Sequence, residues 1–93
     1  MARLLNADEI MRQLSELDDW SRIGDEIVAE FAFDDFAEAL AFVNRVGDLA
    51  EQAQHHPDID IRWNKVRLAL TSHDVGGLTQ TDIELAIQIS AES

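Results

Sequence analysis

Pro57 is the only proline in the 93 residues, and it comes directly after two adjacent histidines, His55 and His56. Proline disfavours the α region for the residue before it, so a helix running into E-Q-A-Q-H-H-P must end near His55 or His56. Upstream, Phe36, Leu40, Val43, Val46 and Ala50 recur as one stripe and predict a helix from about Phe36 to Gln54. Asp35 with Glu38 gives that helix a capping-box start. Gly47 interrupts it, which points to another backbone in close approach. Downstream the period changes to two. Ile59, Ile61 and Trp63 alternate with Asp58, Asp60 and Arg62, and Val66, Leu68 and Leu70 alternate with Lys65, Arg67, Ala69 and Thr71. Between the two runs, Asn64-Lys65 can turn, bulge or carry the strand on.

The flanking segments complete the pattern. Asn6 and Glu9 form a capping box for a helix from about Ala7 to Leu17, with Leu5 and Ile10 as its hydrophobic staple and Ile10, Met11, Leu14 and Leu17 as its apolar stripe. Trp20–Ile23 and Glu26–Phe33 flank Gly24-Asp25, and glycine at the first turn position suits a type II′ hairpin. Asp74-Val75-Gly76-Gly77 reads as a loop. Thr79–Ser90 alternates like a strand, yet Thr79 with Asp82 forms a capping box and Leu78 with Ile83 a staple, so it is predicted as helix. Ile83, Leu85, Ile87 and Ile89 then span a face wider than one core-facing stripe, which points to a subunit contact. The order is α-β-β-α-β-β-α, an α+β class with helices on one face of an antiparallel sheet.

A chain of this length forms a single domain, residues 1–93, and gains from oligomerisation because so short a chain buries a modest share of its surface. With no cysteine it can build neither a disulfide frame nor a thiolate zinc site. The absence of a membrane-length apolar run and of a signal-peptide core leads to the expectation of a cytoplasmic protein with no membrane partner. The net charge of −12 repels phosphate backbones, so direct nucleic-acid binding is not expected.

The helix-two corner carries the chemistry. Glu51 and His55 are four apart, so on the last helical turn they share a face, where the carboxylate raises the basicity of His55 and fixes its tautomer. His56 leaves the helix and points elsewhere. Imidazoles are the side chains that titrate near neutrality, as acid–base catalysis requires. The third histidine, His73, falls on the face of Arg67 and Thr71 if the strand continues that far, and is freed if the strand ends at Thr71.

The spacings form a series: Glu51, His55, His56-Pro57, five residues, Trp63, nine residues, His73, eight residues, Asp82. With N-K-V after Trp63 and G-G-L-T-x-x-D before the last helix, this series resembles the pterin-4a-carbinolamine dehydratase family. The specific part covers Glu51–Ala86, and the N-terminal half matches in element order and in the placement of Trp20. The resemblance implies a four-stranded antiparallel sheet with three helices on one face. It implies subunits paired through sheet edges, as a homodimer or a homotetramer, and also assembly through helices. It implies dehydration of a 4a-hydroxytetrahydropterin to quinonoid dihydropterin and water in tetrahydrobiopterin recycling, with no metal or organic cofactor. His55 matches the base position, and His56 and His73 the acid positions on either side of the pterin. Glu51, Pro57, Ser72, Asp74 and Asp82 fall at substrate-site positions, with Glu51 supporting His55 and Asp82 suited to orient a histidine. The segment D-I-D-I-R is more charged than in some members, which bears on the pocket rim or the sheet edge. Two rivals remain: a non-catalytic dimerisation or assembly role of the same fold, and a three-histidine metal site, disfavoured because adjacent histidines seldom converge on one ion.

Overall fold

A computed structural model describes residues 3–93. Among them the order is α1 (Ala7–Leu14), β1 (Trp20–Ile23), β2 (Glu26–Ala32), α2 (Phe36–Ala53), β3 (Asp58–Arg62), β4 (Lys65–Leu70) and α3 (Gln80–Glu92). The strands form one antiparallel sheet in the order β1-β2-β4-β3. Its register sets Ile27 opposite Leu70, Ala29 opposite Leu68 and Phe31 opposite Val66. These six side chains are all buried, together with Ile10 of α1, Phe42 and Val46 of α2, and Ile83 and Ile89 of α3. The three helices therefore cover one face of the sheet, and alternation along the strands is what keeps that face apolar.

Each helix start is built as its residues require. Asn6 Oδ1 accepts the Glu9 N–H at 2.9 Å, and Glu9 Oε1 accepts the Asn6 N–H at 3.0 Å. The Arg3 guanidinium forks onto the same Glu9 carboxylate at 2.7 and 2.9 Å. Led by the Arg3 hydrogen bonds and aided by the Asn6 backbone, these donors lower the Glu9 pKa from 4.5 to about 2. The helix α1 stops at Leu14, short of Leu17, because Ser15 caps it and the chain winds through turns to Trp20; Leu17 still packs on the core, whereas Met11 is exposed. At the first hairpin Gly24 has φ +61° while Asp25 is not left-handed, as a type II′ turn demands.

Four expectations are corrected. The buried stripe of α2 is Ala39, Phe42, Val46 and Ala50, so Phe36 and Leu40 lie largely outside it. The Phe42 ring sets this rotation, packing 5.0 Å from Phe31 and 4.9 Å from Phe33 between centroids. Trp63 does not extend β3, since Arg62 pairs with Lys65 and leaves Trp63-Asn64 as the turn. Trp63 takes φ +53° there and is exposed, while Asn64 pins the turn by donating to the Phe33 carbonyl at 2.8 Å. Ile83, Leu85 and Ile89 of α3 are all buried within the chain, so the wide apolar face becomes core and leaves Ile87 exposed. Finally, a Cβ at Gly47 would meet nothing within 4 Å, so no backbone approaches there.

That last point gives a test. Glycine inside a helix costs about 0.5–1 kcal/mol relative to alanine. Gly47→Ala should therefore raise stability by about that amount in urea denaturation. A loss of stability instead would mean that another surface packs against this turn of α2. No helix among the described residues is long and apolar enough to cross a membrane.

Candidate active site

The end of α2 decides where the paired histidines go. Gln54 caps the helix in the left-handed region, with φ 50° and ψ 42°, and the His55 N–H donates back to the Ala50 carbonyl at 3.1 Å. This swing takes His55 off the helix, so the four-residue rule linking it to Glu51 no longer applies. His55 Nε2 instead pairs with Asp82 Oδ1, and His56 Nε2 folds back to Glu51 Oε2. Sequence spacing thus assigned Glu51 to the wrong ring. The two pairs differ in kind. The Glu51–His56 pair is open to water, its side chains 77% and 62% exposed, and such pairs are weak and screened. Asp82 is wholly buried, and the His55 side chain beside it is mostly so.

Asp82 stands in the first turn of α3, facing the loop after β4. Strand β4 stops at Leu70, and Ser72 forms an isolated bridge with Gly77. The loop closes tightly: Gly76 has φ +73°, and a Cβ at Gly77 would come within 2.9 Å of Leu4 Cδ2. This turns Ser72 inward. Its hydroxyl lies 2.8 Å from Asp82 Oδ2 and 2.9 Å from Thr79 Oγ1, and the Thr79 N–H donates to Asp82 Oδ2 at 2.9 Å. Every buried side-chain nitrogen and oxygen among the described residues has a partner. Thr79 is the member that sequence reasoning missed. Its T-x-x-D signal was visible, but was read only as a helix start.

His73 and Asp74 are exposed on the same loop, and Pro57 is half-buried. His73 lines an open cleft of about 300 Å³ with Ile23, Asp25, Glu26, Thr71 and Gly76. It adjoins Ser72 along the chain but takes no part in the His55–Asp82 network. A larger cavity of about 460 Å³ lies between α1 and β1, lined by residues such as Met11, Leu14 and Trp20. No histidine or carboxylate lines it. Asp60 and Arg62 pair loosely at 3.4 Å on the exposed edge strand β3, away from that corner.

The corner therefore offers one mostly buried imidazole held by a carboxylate and one exposed imidazole, while His73 stands exposed on the neighbouring loop. Known proteins resemble the chain along nearly its whole length. A relative from Chloroflexus aurantiacus named for pterin-4-alpha-carbinolamine dehydratase is 56% identical over 89 residues, covering 96% of this chain and 95% of its own. One of the same name from Thermosynechococcus vestitus is 52% identical over 90 residues, covering 97% and 95%. Among solved structures, a transcriptional coactivator/pterin dehydratase from Brucella melitensis superposes with a TM-score of 0.93 at 30% identity, covering 97% of this chain and 98% of that one. A pterin dehydratase-like RuBisCO assembly factor of the alpha-carboxysome shares the fold, with a TM-score of 0.64 at 22% identity, covering 78% and 84%. The family model for Pterin 4 alpha carbinolamine dehydratase matches residues 3–92, so the chain belongs to that family.

Proposed function

We propose that this protein dehydrates a 4a-hydroxytetrahydropterin to the quinonoid dihydropterin by histidine acid–base catalysis, as a step in recycling a tetrahydropterin. The observation that carries the reading is the buried Asp82 carboxylate holding His55, with His56 next to it in the chain and His73 next to Ser72 of the same network. In the reaction the C4a–O bond breaks, the hydroxyl leaves as water after gaining a proton, and N5 loses its proton as the C4a=N5 bond forms. His55 takes the N5 proton. His56 or His73 supplies the proton to the leaving oxygen. Glu51 orients His56, and Pro57 and Asp74 border the substrate. The atoms balance without metal or organic cofactor. The protein works in the cytoplasm as a homodimer or homotetramer, paired through sheet edges.

The test is direct. The 4a-hydroxypterin is generated in situ and its decay followed spectroscopically with and without the protein. The expected result is loss of the signal at a rate proportional to protein concentration. Decay at the uncatalysed rate would overturn the assignment. It would favour the second reading, a non-catalytic dimerisation or assembly role, which the coactivator activity named for the Brucella melitensis relative and the exposed Phe36 and Leu40 on α2 support.

A further inference from the structure

The distances in the Asp82 cluster favour one arrangement of protons. An ionised carboxylate only accepts, and each hydroxyl has a single hydrogen to give. Ser72 lies 2.8 Å from Asp82 Oδ2, whereas Thr79 Oγ1 lies 3.4 Å from the same oxygen. The Ser72 hydrogen therefore goes to Asp82, and the 2.9 Å contact between the hydroxyls is made by Thr79 donating to Ser72. Oδ2 also receives the Thr79 N–H, and Oδ1 receives His55 Nε2–H. The result is a directed chain, Thr79 to Ser72 to Asp82, whose links polarise one another. It fixes the carboxylate from behind.

The consequence falls on His55. With Nε2 committed to Asp82, the free nitrogen is Nδ1. Among the described residues, Nδ1 makes no hydrogen bond, and it is absent from the buried atoms lacking a partner, so it reaches the surface. Ser72 presents almost no surface to a ligand. It is 3% exposed, its N–H donates to the Gly77 carbonyl at 2.8 Å, and its own carbonyl accepts from Gly76 at 3.0 Å. This burial points to a positioning role for Ser72 in place of the expected substrate contact.

We propose that Ser72 and Thr79 are positioning residues that lock Asp82, so that His55 is held as the Nε2–H tautomer and meets substrate through Nδ1. This deepens the dehydratase reading and rests on it for the word substrate, but the nitrogen assignment can be read without any activity. The experiment is nitrogen-15 NMR of the imidazoles in the unmodified protein, at a pH where the rings are neutral, with His55 assigned from His55→Gln. His55 should show a protonated Nε2 and a bare Nδ1. A protonated Nδ1, or an even mixture, would overturn the proposal.

The variants then separate positioning from binding. Losing a group that orients a histidine costs on the order of tenfold to a hundredfold. Ser72→Ala and Thr79→Val should each lower kcat by about tenfold or more with KM little changed, and move His55 towards a tautomer mixture. Thr79→Ser keeps the hydroxyl and should keep both properties. A rise in KM with kcat unchanged for Ser72→Ala would make Ser72 a substrate contact and sink its positioning role. If the unmodified protein proves inactive while the Nε2–H tautomer is found, the dehydratase reading fails and the nitrogen assignment stands.

Discussion

Glutamate in place of Ile89 is expected to unfold the chain rather than to part subunits. Ile89 is fully buried among Ile83, Leu85 and the α2 side chains Phe42 and Val46. Removing a buried isoleucine costs about 2–5 kcal/mol through lost transfer energy and the cavity left behind. An unpaired carboxylate placed there adds several more, because no cation or donor stands ready to receive it. A domain has only about 5–15 kcal/mol in total, so the sum is comparable with the whole stability. Ile87 sits two residues away and is half exposed. Ile87→Glu should change stability by no more than about 0.5 kcal/mol, as exposed substitutions do. Circular dichroism in urea, beside sedimentation velocity, reads both variants. A folded monomer from Ile89→Glu would mean that α3 does not pack as described. A smaller particle from Ile87→Glu with unchanged stability would mark Ile87 as a subunit contact.

The same contrast explains what the sequence could and could not disclose. Element order was legible because caps and periods are local: Asn6 with Glu9, Thr79 with Asp82, and the alternation of residues 26–33 and 65–70 all depend on neighbours a few positions away. Which face of a helix meets the core depends on residues far along the chain. The Phe36–Leu40 side of α2 is as apolar as the Ala39–Phe42 side, and only the Phe31 and Phe33 rings choose between them. The site divides in the same way. His55, His56 and Asp82 were visible as residue types at telling intervals. Their pairing was not, because it turns on one left-handed residue, Gln54, which nothing in its side chain announces. Spacing rules for a helix hold only while the helix lasts, and it ends two residues before His55. The inward turn of Ser72 was hidden for a related reason. In the chain it is simply the neighbour of His73, and only the bridge to Gly77 turns it inward.

The largest effects on activity are expected from the histidines, and they should depend on which isomer of the substrate is offered. A 4a-hydroxyl can stand on either face of a nearly planar pterin. A general acid must come within hydrogen-bond reach of the oxygen it protonates, so one acid cannot serve both faces. His56 comes from the end of α2, anchored to Glu51, and His73 comes from the loop after β4, beside the cleft that includes Asp25 and Thr71. They belong to different elements and share no partner, as two acids approaching from opposite sides would. The base has a different task. N5 is an amine nitrogen that inverts readily, so both isomers can present its proton to one base, and His55 is the ring with a buried anchor. His73→Ala should then slow one isomer by about a hundredfold or more, the scale of a positioned acid, and largely spare the other. His56→Ala should show the opposite preference, and His55→Ala should slow both. None of the three removes an apolar core side chain, but His55→Ala leaves buried Asp82 Oδ1 without its partner, so circular dichroism in urea accompanies each variant. Single-turnover dehydration of each resolved isomer decides the matter. Equal losses on both isomers from His56→Ala and His73→Ala would refute the two-sided arrangement, and unchanged rates in all three variants would remove the histidines from the reaction altogether.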